Sequence, residues 1–262
     1  MTPFYFGSRG RRLFGVYHPA QGGGGSRAAL LCYPWGHEYV NAHRSLVRLA
    51  NLLSQSGFHV LRFDYYGTGD SGGEDHEATL EGARQDIAAA IEELRDLTGV
   101  ERVSLVGLRL GAALAMEAAH DQPAIVQSLV LWDPVIKGAE YLRELYSMDD
   151  SMRIPGVGPA EKIGAERGGG REVMGLPLTE KVAAELTALD LTAILPQLPF
   201  PMLSVAIRPV PGSEDVRALL EPRDNGSAVE LIDDQPAWHE DWPENVGVIP
   251  VSVLNRIVQW MN

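Results

Sequence analysis

The sequence of 262 residues contains a single cysteine, Cys32, and no long apolar run. One cysteine excludes an internal disulfide framework and a cysteine-rich zinc site. A membrane-spanning helix needs about 18 or more consecutive apolar residues, so we expect no membrane association. Residues 1–15 lack the apolar core of a secretory signal. Together with the near absence of cysteine, this favours a cytoplasmic protein.

Basic residues are also scarce. The chain has 22 Lys and Arg against 35 Asp and Glu, which gives a net charge of −13. Nucleic acids and anionic lipid surfaces are bound by clustered basic residues, so we expect neither as a partner. The expected partner is a small-molecule substrate. We expect the protein to contain no metal and no cofactor. Self-association into a homo-oligomer is left open.

Short apolar runs alternate along the chain with amphipathic helices, and Gly22–Gly25 is expected to be a flexible hairpin connection. This alternation predicts one α/β domain, residues 1–262, with a mostly parallel sheet covered by helices on both faces. Ligand sites in such sheets lie outside the carboxyl ends of the strands. The predicted strands are Leu13–Tyr17, Ala28–Tyr33, His59–Asp64, Arg102–Val106, Ser128–Asp133, Pro201–Ile207 and Val229–Ile232. The predicted helices are His43–Ser56, Leu80–Leu97, Leu110–His120, Ala139–Met148, Lys181–Ala188, Glu214–Leu220 and Val251–Trp260.

The segment from Val103 to Ala112 leads from an apolar strand into an alanine-rich helix through Gly107 and Gly111. Glycines at this spacing allow a sharp turn that holds the residue midway between them in a strained conformation above the sheet. This is the frame of the G-x-S-x-G nucleophile elbow, with Arg109 in the place of the serine. Arginine has no useful nucleophilic atom, so an ordinary serine-hydrolase mechanism is excluded.

Two interpretations of Arg109 remain at this stage. A protonated guanidinium in a pocket could anchor a carboxylate, a phosphate or a developing enolate. Alternatively, the side chain could fold back onto a neighbouring carboxylate and fill the pocket. The sequence does not decide between them.

Five segments carry a family resemblance: PFYFGSRGRRLFGVYHP, LLCYPWGHEYVNAHR, GFHVLRFDYYGTGDSGG, GLRLGAALA and LVLWDPVIKGAEYL. They resemble the α/β-hydrolase superfamily, in particular its exosortase-associated and serine-aminopeptidase-like hydrolases. The resemblance covers most of the chain and is densest in residues 3–145. It implies an α/β-hydrolase fold with a small cap or lid, which we expect at residues 137–178.

In the superfamily, the loop after an early central strand supplies an oxyanion-hole N–H, and here that loop follows Cys32. Gly36 would let the backbone approach a ligand closely, and Trp35 would form a wall of the pocket. His37 and Glu38 add titratable groups, a candidate general base among them, although His37 is equally compatible with a solvated loop. Cys32 is a substitute nucleophile only as a minor alternative, because a cysteine at a strand end is more often a small buried side chain.

Asp133 ends the strand after the elbow helix, where its carboxylate could pair with Arg109 or with a histidine. The resemblance implies an acid and then a histidine further along the chain, so the order elbow, acid, histidine survives as Arg109, Asp215, His239. Asp215 fits the first turn of a capped helix better than a catalytic acid. His239 and Trp238 could instead close the pocket.

Three functions stay open. The first is an enzyme without a serine nucleophile, acting on an acidic or carbonyl-containing small molecule by acid–base or electrostatic catalysis. The second is a catalytically inactive protein that binds a ligand or a partner. The third is an unorthodox hydrolase that uses Cys32 or a loop serine such as Ser71. In the first, the catalytic residues would be Arg109, His239, Asp133 and His37, and the substrate contacts Trp35, Gly36, Leu110 and Trp238.

Overall fold

A computed structural model describes residues 1–22, 25–152, 162–207, 209, 212–236, 238 and 248–262. The strands among them are β1 (Thr2–Ser8), β2 (Arg11–His18), β3 (Arg27–Cys32), β4 (Phe58–Phe63), β5 (Val103–Leu108), β6 (Val126–Trp132), β7 (Arg171–Val173), β8 (Leu176–Leu178), β9 (Met202–Ala206) and β10 (Ala228–Leu231). Eight strands form one sheet in the order β1-β2-β4-β3-β5-β6-β9-β10, and β7 and β8 form a separate antiparallel hairpin. From β4 to β10 all neighbouring strands of the large sheet are parallel, whereas β1 and β2 run antiparallel at one edge.

Helices cover both faces of this sheet, as the sequence pattern predicts. On one face α1 packs on α7 and on strand β4, and on the other α2 packs on α3 beneath β3, β4 and β5. The α-helices of the described residues are α1 (His37–Gln55), α2 (Leu80–Thr98), α3 (Leu110–Asp121), α4 (Gly138–Met152), α5 (Glu180–Ala188), α6 (Ser213–Leu220) and α7 (Val251–Met261).

The core lies between the central strands and these helices. Every residue of β5 is buried, as a strand covered on both faces requires, and α3 buries nearly all of its length. This fixes the segment from β5 to α3 rigidly at the centre of the sheet, and with it the position of Arg109.

The predicted and observed strands agree to within one or two residues at each end. The sequence pattern missed β1 and the β7–β8 hairpin. The expectation that Gly22–Gly25 joins a hairpin is wrong, because β2 pairs with β4 and not with β3. Helix α1 begins at His37, six residues before its predicted start. The sequence pattern missed these first turns because they carry the buried polar residues Glu38 and Asn41, where an amphipathic helix would be expected to bury apolar residues.

Part of the segment expected to form a cap is described. It contains α4 and the β7–β8 hairpin and ends just before α5. Residues 153–161 lie outside the described residues. Asp149 of α4 accepts hydrogen bonds from the Met174 backbone N–H at 2.8 Å and from Arg171 Nη2 at 2.8 Å, which fastens the hairpin to the helix. In the described ranges, no helix combines the length and the apolar character that a bilayer crossing requires.

Candidate functional site

Arg109 occupies a sharp turn between β5 and α3. Its backbone has a φ of 54° and a ψ of −120°, a strained conformation for a residue with a side chain. Its N–H donates to the carbonyl of Trp132 at 2.9 Å, which ties the turn to β6. A Cβ at Gly107 would lie 2.4 Å from Ala112 Cα, and one at Gly111 would lie 2.3 Å from the carbonyl oxygens of Cys32 and Tyr33. Close approach of the backbone therefore requires glycine at both positions of the elbow frame.

The Arg109 side chain is enclosed. It is 1% exposed and donates from Nε to Glu38 Oε1 at 2.9 Å and from Nη2 to Glu144 Oε2 at 2.6 Å. Its guanidinium carbon lies 4.0 Å from the ring centroid of Trp238 and 5.2 Å from that of Tyr141. We name these five residues the Arg109 cluster.

Glu38 is as deeply buried as Arg109, and both of its oxygens are engaged. Oε1 accepts from Arg109, and Oε2 accepts from the Tyr141 hydroxyl at 2.9 Å. Burial raises the pKa of Glu38, and its two hydrogen-bond donors act in the opposite direction. Burial by itself would lower the pKa of Arg109, but the charges of Glu38 and Glu144 outweigh it and raise that pKa. The guanidinium is held as a cation facing two carboxylates.

Asp133 meets the cluster through Trp238. Its Oδ2 accepts from the Trp238 indole N–H at 2.8 Å, and its Oδ1 accepts from the Ile207 backbone N–H at 3.0 Å. Asp133 is fully buried, and its φ is 43°. Arg109 takes its carboxylate partners from α1 and α4 instead of from this strand end. The indole therefore separates the aspartate predicted for the site from the arginine.

Of the two interpretations of Arg109, the described geometry matches the one in which the side chain folds back onto neighbouring carboxylates. An accessible guanidinium above the sheet was the expectation on which the catalytic interpretation rested, and it is wrong, because carboxylates and aromatic rings surround the group.

A groove of about 420 Å³, which we name the Trp35 groove, lies near the carboxyl ends of β3 and β4. It runs between the loops that follow β3 and β4 and the tip of the β7–β8 hairpin. Both Trp35 and Gly36, predicted to contact substrate, line it. The other lining residues are Tyr39, Val40, Gly67, Thr68, Gly69, Ser71, Gly73, Glu74, Asp75, Ala78, Leu176 and Pro177.

The two other predicted substrate contacts are buried. Leu110, which is 2% exposed, lines a narrow apolar cavity of about 30 Å³ behind Trp35. Trp238 has no exposed surface, since Arg109 covers its ring and Asp133 binds its indole nitrogen. In this structure neither could touch a ligand lying in the groove.

The structure describes the predicted acid, Asp215, but not the predicted histidine, His239. Asp215 pairs with Lys137 Nζ at 2.9 Å, and its side chain is 45% exposed. Gly212 is the N-cap of α6, and Glu214 and Asp215 lie in the first turn of that helix, as predicted for Asp215. His239 lies outside the described residues, and its role stays a prediction. His37 is the first residue of α1, where its Nδ1 lies 3.2 Å from Asn41 Nδ2.

The alternative nucleophiles are engaged or buried. Cys32 has no exposed surface, and burial raises the pKa of its thiol to about 12, so the reactive thiolate is scarce at neutral pH. The Ser71 hydroxyl donates to the Asp64 carbonyl at 2.5 Å and accepts from the Phe14 N–H at 2.8 Å. Both of these contacts hold the loop after β4 in place.

Sequence reasoning missed Glu144 and the polar role of Tyr141. Tyr141 lies among apolar residues at helical spacing in α4, and Glu144 follows it three residues later. Residues three apart lie on one helix face, so the pair carried a signal that this face is partly polar.

Comparisons with known proteins agree with this architecture. A family model, Hydrolase_4 (serine aminopeptidase, S33), matches residues 35–155. Over 106 residues the chain is 31% identical to the mitochondrial palmitoyl-protein thioesterase ABHD10 of Homo sapiens, which covers 40% of this chain and 33% of that protein. Over 133 residues it is 36% identical to the uncharacterized protein Rv2307c of Mycobacterium tuberculosis, covering 50% of this chain and 44% of that one. The chain thus spans less than half the length of either relative.

Solved structures resemble the whole chain. Est1E from Butyrivibrio proteoclasticus, with ferulic acid bound, superposes with a TM-score of 0.71 at 16% identity, covering 98% of this chain and 97% of that one. An alpha-beta serine hydrolase homologue from Coxiella burnetii gives a TM-score of 0.61 at 16% identity, covering 100% and 97%. The protein therefore has the α/β-hydrolase fold, and over residues 35–155 its sequence is similar to that of a hydrolase family.

Replacing Arg109 should expose the cost of an unpaired buried carboxylate. We expect Arg109→Met to lower the free energy of unfolding by about 3–5 kcal/mol, because it leaves Glu38 buried without its cation. The double variant Arg109→Met with Glu38→Gln should regain part of this loss, since the glutamine is neutral. Urea unfolding at neutral pH measures both values.

A matched control is Arg95→Met, which removes a partly exposed arginine paired with Glu92 at 2.9 Å. Exposed pairs contribute about 0–1 kcal/mol, so this variant should lie close to the wild type. An Arg109→Met protein as stable as Arg95→Met would contradict the described cluster.

Proposed function

We propose that this chain is a hydrolase-like, ligand-binding protein whose elbow is catalytically silent. The observation that carries this proposal is the buried Arg109 cluster at the turn between β5 and α3, which the proposal takes to be the position of the nucleophile in a serine hydrolase. Oxyanion stabilisation requires donors aimed at the place where charge develops. The donors of Arg109 are instead directed at Glu38 and Glu144, so the cluster fills the catalytic position.

The ligand in this proposal binds in the Trp35 groove, at the carboxyl-end edge of the sheet, where α/β proteins generally bind ligands. Its volume of about 420 Å³ is within the range of small-molecule pockets. Trp35, Val40 and Leu176 supply apolar walls. Thr68 and Ser71 supply hydroxyl oxygens.

The charge of the groove favours a neutral or cationic ligand over an acidic one. Glu74 and Asp75 line it, and its described lining contains no lysine or arginine. Asp75 is already paired with Arg167 at 2.9 Å, which leaves Glu74 as the acceptor for a positive group. We therefore propose a small molecule with an aromatic or branched aliphatic part and, at one end, an amine or a hydrogen-bond donor.

A cap over the site is part of the same proposal. Tyr141 and Glu144 connect α4 to the elbow through Glu38 and Arg109, and Leu176 and Pro177 of the hairpin border the groove. Residues 137–178 would then act as a cap fastened at its base by the Arg109 cluster.

The names of similar proteins do not agree on a ligand class, since one relative is named a palmitoyl-protein thioesterase and one solved neighbour holds the small molecule ferulic acid. The small-molecule ligand proposed here rests on the dimensions and lining of the Trp35 groove. Three expectations stay predictions: the cytoplasmic location, membership of the exosortase-associated branch and the absence of a nucleic-acid partner. Self-association stays open.

Binding in the groove is tested with benzylamine, benzyl alcohol and benzoate, followed through the indole N–H signal of Trp35 by NMR. We expect benzylamine to shift this signal at the lowest concentration and benzoate at the highest, because Glu74 attracts the amine and repels the carboxylate. Trp35→Leu assigns the signal. Glu74→Gln is expected to bring benzylamine to the level of benzyl alcohol. Equal responses to the amine and the carboxylate in the wild type would contradict the proposed charge preference.

Catalytic silence is tested by turnover of 4-nitrophenyl butyrate and of a butyryl thioester. We expect the wild type and the variant with Arg109→Met and Glu38→Gln to give the same rate, because neither presents a nucleophile or an accessible guanidinium. The surface variant Arg95→Met controls for preparation effects. Turnover in the wild type that falls tenfold or more in the double variant, but not in Arg95→Met, would restore Arg109 as a catalytic residue and overturn the proposal.

A further inference from the structure

A second cavity lies at the opposite end of the parallel strands, where these strands begin. It encloses about 400 Å³ and is bordered by the first residues of β3, β5 and β6 and by the end of α7. We name it the basal cavity, after its lining residues Arg27, Phe58, Arg102, Ser104, Ser128 and Trp260. The function proposed above makes no use of it, since the Trp35 groove lies at the other end of the parallel strands.

The charge of the basal cavity is opposite to that of the chain. Arg27 and Arg102 are the charged side chains of its described lining, whereas the whole chain carries −13. Arg102 is exposed, and the described residues provide it with no ion-pair partner. A cationic concavity on an acidic protein concentrates small anions and repels other acidic surfaces.

Arg27 is held in position. Its guanidinium lies over the Phe58 ring, 4.2 Å from the centroid, and donates from Nη2 to the Ser56 carbonyl at 2.6 Å and from Nη1 to Asn262 Oδ1 at 3.2 Å. Neutral oxygens take these two bonds, so the positive charge is not compensated by them. Part of the donor fork is left for a ligand.

The cavity also contains hydroxyl groups and an aromatic surface. Ser104 and Ser128 share one hydrogen bond of 2.9 Å, which uses one of their two hydroxyl protons and leaves the other as a donor. Ser104 is 4% exposed, so this donor lies at the floor of the cavity. The Trp260 indole N–H donates to the Gly226 carbonyl at 3.1 Å, which fixes the orientation of its ring in the lining.

We propose that the basal cavity binds a small organic anion in which a phosphate or carboxylate group is attached to an aromatic or similarly flat apolar part. The anionic group lies between Arg27 and Arg102 and accepts from the serine hydroxyl, and the flat part packs against Trp260. The basal cavity and the Trp35 groove thus prefer ligands of opposite charge. The cavity where the strands begin favours anions, and the groove at their carboxyl ends favours cations.

The test follows the Trp260 indole N–H signal by NMR during titration with phenyl phosphate, benzoate and phenol, with Trp260→Phe to assign the signal. We expect phenyl phosphate and benzoate to shift it and phenol to do so only at much higher concentration. Arg102→Gln should weaken phenyl phosphate binding about tenfold, because a charge-assisted hydrogen bond contributes on that order. Arg143→Gln is the matched control, since Arg143 is 73% exposed on α4 at the other edge of the sheet. It should bind like the wild type.

Each other outcome decides against the proposal. Phenol binding as tightly as phenyl phosphate would remove the role of the arginines. Equal losses in Arg102→Gln and Arg143→Gln would indicate attraction by overall charge without a site. Absence of any Trp260 shift at millimolar concentrations of all three compounds would exclude the site.

Discussion

The contact between Arg109 and Glu38 constrains the rest of the site. Both side chains are removed from water, and each would be strongly unfavourable there without the other. Arg109 comes from the elbow after β5 and Glu38 from the first turn of α1, so the pair fixes the loop after β3 against the turn before α3. Tyr141 and Glu144 complete the hydrogen bonds from α4. A single desolvated cation thereby brings three separate parts of the chain together above the sheet.

The fold around this cation is the α/β-hydrolase fold, and the turn between β5 and α3 carries Arg109. The elbow keeps a strained backbone, and close packing leaves no room for side chains at Gly107 and Gly111. Proteins maintain such strain where surrounding contacts over-determine the backbone. Here those contacts hold a salt-bridged arginine, so the strained turn serves the attachment of α4. With the central position filled, open volume remains on its flank, beneath the hairpin and beside Trp35.

Much of the fold could be predicted from the sequence. The alternation of apolar strands and amphipathic helices gave the central sheet, and the glycine spacing located the elbow. Strand β1 and the β7–β8 hairpin were missed because exposed or very short strands have weak patterns; β1 is exposed over most of its length. The site was harder to predict. That Arg109 could fold onto a carboxylate was foreseen as an alternative, but its partners could not be, because Glu38 and Glu144 are 106 residues apart and meet only through the packing of α1 and α4. The apolar spacing of α1 pointed to a start at His43 and left Glu38 in a loop. The structure places it in the first turn of α1, with its side chain buried.

The state of the Arg109 side chain in solution is the most direct measure of this account. Hydrogen exchange of its Nε–H group, observed by ¹⁵N NMR and assigned with Arg109→Met, reports whether the bond to Glu38 persists and whether water reaches it. Slow exchange, at least a hundredfold slower than for the exposed Arg143, is the predicted result, since opening would require separation of a buried ion pair. Exchange as fast as that of Arg143 would mean that the guanidinium is open to solvent, and the silent elbow would then have to be abandoned.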